Sequence, residues 1–188
     1  DRSILVNSTI KTVERNLFEG ALLVIAVLFL ALGNARAAII TALMIPLSFL
    51  IAVIGMRYFK ISGNLMSLGA LDFGLLVDGA VVIIEATLLA LAQKVQRIKR
   101  ALSFQERFEV ATHIAKTMVK PTLFGQLIIL LVYAPLLTLE GIEGKMFQPM
   151  AATVMLALFG AFILSFTFIP AMIAIFIREP KLAADLND

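Results

Sequence analysis

Residues 64–85 read NLMSLGALDFGLLVDGAVVIIE, an apolar stretch that is long enough to cross a membrane but contains three acids. The acids are Asp72, Asp78 and Glu85, and Asp78 lies near the middle of the stretch. An ionised carboxylate at the centre of a membrane helix costs about 2.5–3.5 kcal/mol on insertion scales. Because such residues are rare and usually functional, we take these three acids as the candidate site residues.

The three acids do not lie on the same side of a helix. At 100° per residue, Asp78 and Glu85 differ by about 20° and lie roughly 10.5 Å apart along the axis, whereas Asp72 is about 120° from Asp78. Steps of three and four residues trace a seam of mostly small or polar side chains: Asn64, Ser67, Leu71, Gly74, Asp78, Val81 and Glu85. Because polar residues in membrane helices normally face other helices, we expect this seam to face the interior of the bundle.

The composition extends the membrane assignment to the whole chain. Of 188 residues, 61% are hydrophobic and 15% are charged, whereas soluble domains have about half and about a quarter. These values exclude an ordinary soluble enzyme, a disordered chain and a nucleic-acid-binding tail. We predict an all-α integral membrane protein, a five-helix transmembrane bundle segment with amphipathic interfacial helices.

Five apolar stretches divide the chain into predicted segments. In chain order these are a periplasmic amphipathic lead-in (1–16), three transmembrane helices (17–92), a cytoplasmic loop with an amphipathic helix (93–120), two transmembrane helices (121–177) and a cytoplasmic tail (178–188). With five spans, the loops on the same side of the membrane as the long loop 93–120 carry more Lys and Arg than those on the other side. We therefore expect that side to be cytoplasmic, with the N-terminus outside and the C-terminus inside.

Two local patterns predict where helices begin. Gly33-Asn34 is expected to form the tight turn of an antiparallel hairpin between the first two spans. Ser103 and Glu106 fit a capping box, which opens an amphipathic helix that we expect to lie in the membrane interface, separate from the following span.

The five apolar stretches contain acids but no Lys, Arg or His; they are roughly 17–32, 37–56, 65–92, 121–139 and 146–177. A carboxylate without a cation in the bilayer favours its protonated form. Asp78 and its neighbours are therefore either proton-binding sites or partners of a cation from a part of the protein that is not in this chain. Both interpretations fit a proton-coupled transporter. The structural alternative is a hydrogen-bonded clasp between protonated acids and polar side chains.

The sequence offers no enzyme chemistry. It has no cysteine, and it contains no P-loop, HExxH or Ser-His-Asp arrangement. We interpret His113 as a surface residue, the eight Met residues as packing residues, and Glu140 and Glu143 as part of a solvated turn that could also attract cations. We predict a transporter with no cofactor, no assigned metal ligand in this chain and no nucleic-acid partner.

The 64–85 stretch closely resembles the fourth transmembrane helix of the resistance–nodulation–division (RND) superfamily, in its heavy-metal efflux branch. The flanking sequences resemble the same family at Asn16-Leu17-Phe18-Glu19-Gly20-Ala21, Leu32-Gly33-Asn34-Ala35-Arg36-Ala37, Gly141-Ile142-Glu143-Gly144-Lys145-Met146-Phe147 and Pro149-Met150-Ala151. By this resemblance the chain holds helices 2–6 of the N-terminal half. One departure is Ala86, where many members carry Asn.

The resemblance implies a proton/heavy-metal-cation antiporter of the bacterial inner membrane, with Asp78 in the proton relay and Asp72 and Glu85 as its charged companions. It implies a homotrimer that works with a periplasmic adaptor and an outer-membrane channel. The implied cargo is a divalent metal cation (zinc, cobalt, nickel or cadmium), exported in exchange for protons. Two alternatives stay open: an RND-type exporter of drugs or lipids, and a non-transporting membrane scaffold subunit.

Overall fold

The computed structural model describes residues 2–61 and 73–177, which fold into five long helices and one short 3-10 helix. The helices are α1 (Arg2–Leu32), α2 (Ala35–Tyr58), α3 (Phe73–Ile98), α4 (Phe104–Tyr133), the 3-10 helix (Ala134–Thr138) and α5 (Gly141–Phe176). All five long helices are apolar and long enough to cross a membrane. The prediction of an all-α membrane bundle segment with five spans is confirmed.

The connection between α1 and α2 is the predicted tight turn. Gly33 adopts a positive φ of 63°, a conformation that glycine reaches without steric cost. Asn34 then caps α2, because its side-chain oxygen accepts the backbone N–H groups of Arg36 at 3.0 Å and Ala37 at 3.3 Å. Since α1 and α2 also contact each other, the two helices form the expected antiparallel hairpin.

Helix α5 is the central element of the bundle, in contact with α2, α3 and α4. Small residues make these contacts close. A Cβ atom added to Gly160 would lie 2.6 Å from Ile51 Cγ2 of α2, so the two backbones approach to a distance that only glycine permits. The buried small residues of α5 include Ala151, Ala157, Ala161, Ser165 and Ala174.

Helix α4 joins two segments that the sequence predicted as separate. The amphipathic segment after Ser103 continues without a break through Pro121 into the apolar span. The interfacial position of the first part of α4 stays a prediction. Membrane helices tolerate an internal proline when neighbouring groups satisfy the freed carbonyl, so Pro121 does not end the helix. Helix α1 likewise joins the predicted lead-in to the first span.

The start of α4 confirms one half of the capping box. The Ser103 hydroxyl accepts the backbone N–H of Glu106 at 3.4 Å. The Glu106 carboxylate, however, binds Arg100 at 2.8 Å instead of bonding back to the Ser103 amide. On this part of α4 the buried stripe consists of Arg107, Ala111 and Ala115. Phe104 and Phe108 of the same segment are exposed, and their rings stack with centroids 6.2 Å apart.

Candidate functional site

Helix α3 has one packed side and one uncovered side within the described bundle. The packed side is formed by apolar residues and one threonine: Leu76, Val77, Ala80, Ile83, Ile84, Thr87 and Leu91. The exposed residues recur at steps of four, four, three and four, which places them on one helical stripe. We call this stripe the acidic face, and it consists of Gly74, Asp78, Val82, Glu85 and Leu89.

The two described acids of α3, Asp78 and Glu85, both lie on the acidic face and are exposed. Their shared face is as predicted from the helical period. Among these five helices the acidic face does not point into the bundle as expected: Asp78 and Glu85 are exposed, and the buried residues of α3 lie on the other side of the helix. The predicted seam included Val81, whereas the exposed acidic face includes its neighbour Val82 instead.

Part of the predicted seam lies outside the described residues. This applies to Asp72, the third candidate acid, and to Asn64, Ser67 and Leu71. The structure therefore brings Asp78 and Glu85 onto one face and does not test the position of Asp72.

The residue after Asp78 lies close to two other helices. A Cβ atom added to Gly79 would lie 3.3 Å from Thr122 Cγ2 of α4 and 3.5 Å from Ser165 Oγ of α5. The Ser165 hydroxyl itself donates to the Ala161 carbonyl at 2.7 Å. Gly79 therefore lies where α3, α4 and α5 meet, directly after Asp78 in the sequence.

Sequence reasoning did not single out Gly79, Thr122 or Ser165 as part of the site. One signal was available for Gly79, since small residues in membrane helices are enriched where helices approach closely. The partner residues on α4 and α5 carried no such signal, because their proximity arises only from the packing of separate helices.

Within residues 2–61 and 73–177, Asp78 and Glu85 have no ion-pair or hydrogen-bond partner through their side chains. The two ion pairs of this region are elsewhere: Arg15 with Glu19 at 3.1 Å, and Arg100 with Glu106 at 2.8 Å. The acidic face also contains no Lys, Arg or His. The carboxylates of Asp78 and Glu85 therefore have no neutralising cation among the described residues.

Other candidate ligands do not gather into a metal site in the described ranges, where no group of three His, Cys, Asp or Glu residues lies close enough to hold an ion. Glu140 and Glu143 are exposed at the start of α5, and Glu140 makes no side-chain capping bond there. His113 is exposed on α4, as interpreted from the sequence.

A bundle of five helices that are long and apolar enough to cross a membrane defines a multi-pass membrane protein. Comparison with known families agrees with this class and narrows it. The model of the AcrB/AcrD/AcrF family matches residues 1–186, and the chain belongs to this family. The predicted resemblance to the heavy-metal efflux branch of the RND superfamily, in its N-terminal transmembrane region, is confirmed by the relatives.

Two relatives from Cupriavidus metallidurans are closely similar. The nickel and cobalt resistance protein CnrA is 57% identical over 179 residues, and the cobalt-zinc-cadmium resistance protein CzcA is 56% identical over 179 residues. Each alignment covers 95% of this chain and 17% of the relative, so the chain spans about one sixth of their length.

The fold is also found in solved structures. The X-ray crystal structure of a heavy metal efflux pump, crystal form I, superposes with a TM-score of 0.78 at 43% sequence identity. The match covers 91% of this chain and 16% of that structure. The five-helix arrangement is therefore shared with one part of a much larger pump.

Proposed function

We propose that this chain is the transmembrane proton-relay segment of a proton/heavy-metal-cation antiporter that exports divalent metal from the bacterial cell. The observation that carries the proposal is the acidic face of α3, where Asp78 and Glu85 are uncovered and have no cation among the described residues. A carboxylate in this setting needs either a proton or a cation from elsewhere in the protein, and a relay alternates between the two.

In the proposed mechanism, Asp78 carries the proton and Asp72 and Glu85 act as its charged companions. When Asp78 is ionised, its charge attracts a cation on the element that covers the acidic face. When a proton binds, that attraction is lost, and the covering element and α3 separate. The contact of Gly79 with α4 and α5 transmits the movement of α3 to the rest of the bundle, in the manner of a shear between packed helices.

The membrane arrangement follows from the bias of Lys and Arg among the loops. The N-terminus is periplasmic and the C-terminus is cytoplasmic, with the lead-in 1–16 outside and the loop region 93–120 and the tail 178–188 inside. Three transmembrane helices lie within residues 17–92 and two within residues 121–177.

The cargo and the assembly are inferred from the relatives. Their names specify resistance to nickel, cobalt, zinc and cadmium, which supports one of these divalent cations as the exported substrate. The family assignment supports a homotrimer that works with a periplasmic adaptor and an outer-membrane channel. Because the chain spans only part of the relatives' length, we place the metal-binding regions in parts of the pump outside these five helices.

The test replaces Asp78 by Asn in the intact protein, which removes the ionisable group and keeps the shape of the side chain. We expect loss of metal resistance and of metal-driven proton flux in vesicles, with unchanged expression. Glu19→Gln is the matched control, because Glu19 is an exposed acid of α1 already paired with Arg15. Normal metal resistance of the Asp78→Asn variant would refute the relay. If the parent protein shows no proton-linked flux and Asp78→Asn changes only the assembly of the complex, the scaffold alternative is favoured.

A further inference from the structure

A groove of about 570 Å³ lies between the C-terminal end of α3 and the N-terminal half of α4. Helix α3 contributes Lys94 and Arg97 to its lining, and helix α4 contributes Glu109 and His113. The charged residues of this groove are separate from the acids of the acidic face, since Lys94 follows Glu85 by more than two helical turns.

The groove changes from apolar to charged along its length. Helices α3 and α4 are joined by a short turn and contact each other, so they run antiparallel. Ala90 on α3 and Ile114 on α4 therefore lie nearer the middle of the bundle. Arg97 and Glu109 lie nearer its end. The rise of an α-helix places Ala90 and Arg97 about 10 Å apart along the axis. A molecule that fits this gradient has an apolar body and a charged end.

The charged residues of the groove do not neutralise one another. In the described ranges the ion pairs are Arg15 with Glu19 and Arg100 with Glu106, so Lys94, Arg97 and Glu109 enter none. Arg97 and Glu109 are exposed and Lys94 is half-buried. The groove thus offers two cations and one carboxylate that are free to bind a ligand carrying charges of both signs.

We propose that this groove binds the head group of phosphatidylethanolamine. Lys94 and Arg97 donate hydrogen bonds to the phosphodiester oxygens, and the Glu109 carboxylate accepts from the primary ammonium group. The first carbons of the acyl chains pack along Ala90 and Ile114. Basic pockets between membrane helices at the membrane surface are a recurrent kind of lipid head-group site.

The carboxylate is the feature that selects among phospholipids. A purely anionic head group such as phosphatidylglycerol leaves Glu109 facing a negative charge without a cation. Phosphatidylcholine carries a positive charge, but its quaternary ammonium has no N–H to donate. Ethanolamine supplies both the positive charge and the donors that the carboxylate accepts.

The experiment is a lipid titration of the intact detergent-purified protein, followed by native mass spectrometry. The probes are palmitoyl-oleoyl phosphatidylethanolamine, phosphatidylcholine and phosphatidylglycerol, each added separately. We expect phosphatidylethanolamine to bind at least about fivefold more tightly than the other two. The double variant Lys94→Gln/Arg97→Gln is expected to lose about tenfold in affinity for all three lipids, because it removes the phosphate ligands. Glu109→Gln is expected to abolish the preference for ethanolamine while keeping phosphodiester binding.

The matched control is Lys99→Asn, which removes a cation from the same end of the bundle. Lys99 has a positive φ of 58° and does not line the groove, and asparagine tolerates that backbone conformation. Its lipid affinities are expected to equal those of the parent protein. Equal affinities for the three lipids, or an unchanged preference in Glu109→Gln, would overturn the proposal.

A competition arm separates a lipid site from a site for soluble phosphate esters. Free phosphoethanolamine carries the same head-group charges without acyl chains. We expect millimolar phosphoethanolamine to displace little of the bound lipid, because it makes no contact with Ala90 and Ile114. Complete displacement at micromolar concentration would instead identify a soluble phosphate ester as the ligand and refute the lipid assignment. None of these readouts depends on metal transport, so the result stands apart from that of Asp78→Asn.

Discussion

Gly160 of α5 and Ile51 of α2 lie in direct contact, so that a Cβ atom at position 160 would be 2.6 Å from Ile51 Cγ2 and 2.9 Å from Ile51 Cβ. The obstructing atoms belong to the base of a β-branched side chain, which cannot rotate away without moving the helix. Gly160 is buried in the helix that contacts α2, α3 and α4. At this contact the central helix and α2 approach more closely than a side chain at position 160 would allow.

Gly160→Ala is expected to destabilise the bundle by about 1–3 kcal/mol, as overpacking of a tight contact does. The measurement is the thermal unfolding midpoint of the intact protein in detergent. Gly125→Ala is the matched control, because a Cβ atom at Gly125 of α4 meets no atom within 4 Å. The control is expected to unfold at the parental temperature or slightly above it. Equal midpoints for Gly160→Ala and the parent would contradict the close approach.

Gly79→Ala is expected to reduce metal transport more than it reduces stability. The added methyl group would lie 3.3 Å from Thr122 Cγ2, so the Thr122 side chain or α3 must shift by a few tenths of an ångström, and a shift of α3 moves Asp78 with it. The measurements are metal resistance and the unfolding midpoint, made on the same preparations.

Thr122→Ser provides a rescue for this substitution. Serine keeps the hydroxyl and removes the Cγ2 methyl that the new Cβ would meet. The double variant Gly79→Ala/Thr122→Ser is expected to recover most of the lost resistance, and the double-mutant cycle gives the coupling between the two positions. A double variant no better than Gly79→Ala would show that this contact does not position Asp78.

Arg36→Gln is expected to loosen the end of α5. The Arg36 Nη1 group donates to the carbonyl oxygen of Phe176 at 3.0 Å, and Phe176 is the last residue of α5. A cation at the C-terminus of a helix also interacts favourably with the helix dipole. Because Arg36 is exposed, we expect a modest loss of about 0.5–1 kcal/mol. The control is Arg57→Gln at the other end of α2, and the readout is the rate of amide hydrogen exchange at residues 173–177. Equal exchange rates in Arg36→Gln and the parent would rule out this tether.

Ser103→Ala is expected to fray the first turn of α4 and to destabilise it by about 0.5–1 kcal/mol, because it removes the acceptor for the Glu106 amide. Hydrogen exchange at residues 104–107 should then accelerate. Ser8→Ala is the control, since the Ser8 hydroxyl only donates to the Ile4 carbonyl within the exposed part of α1. If the two substitutions had equal effects on α4, the cap would have no role there.

Much of the fold could be predicted because membrane helices are encoded locally. The number of spans, the hairpin turn at Gly33-Asn34 and the Ser103 cap depend on apolar length and on residues that are neighbours in sequence. The predicted boundary between the loop region and the span at Pro121 is also a local inference, and α4 runs across it as one helix. A proline removes one local hydrogen bond, but the apolar surface on both sides of Pro121 continues into a single helix.

The sequence by itself determined that Asp78 and Glu85 share one face of a helix, because the helical period is a property of the backbone alone. Only the tertiary structure decided that this face is left uncovered by the other described helices. It also decided that Gly79 meets Thr122 and Ser165. The physical reason is that packing depends on how the surfaces of distant helices fit together, and that fit is not written in the local pattern of any one of them.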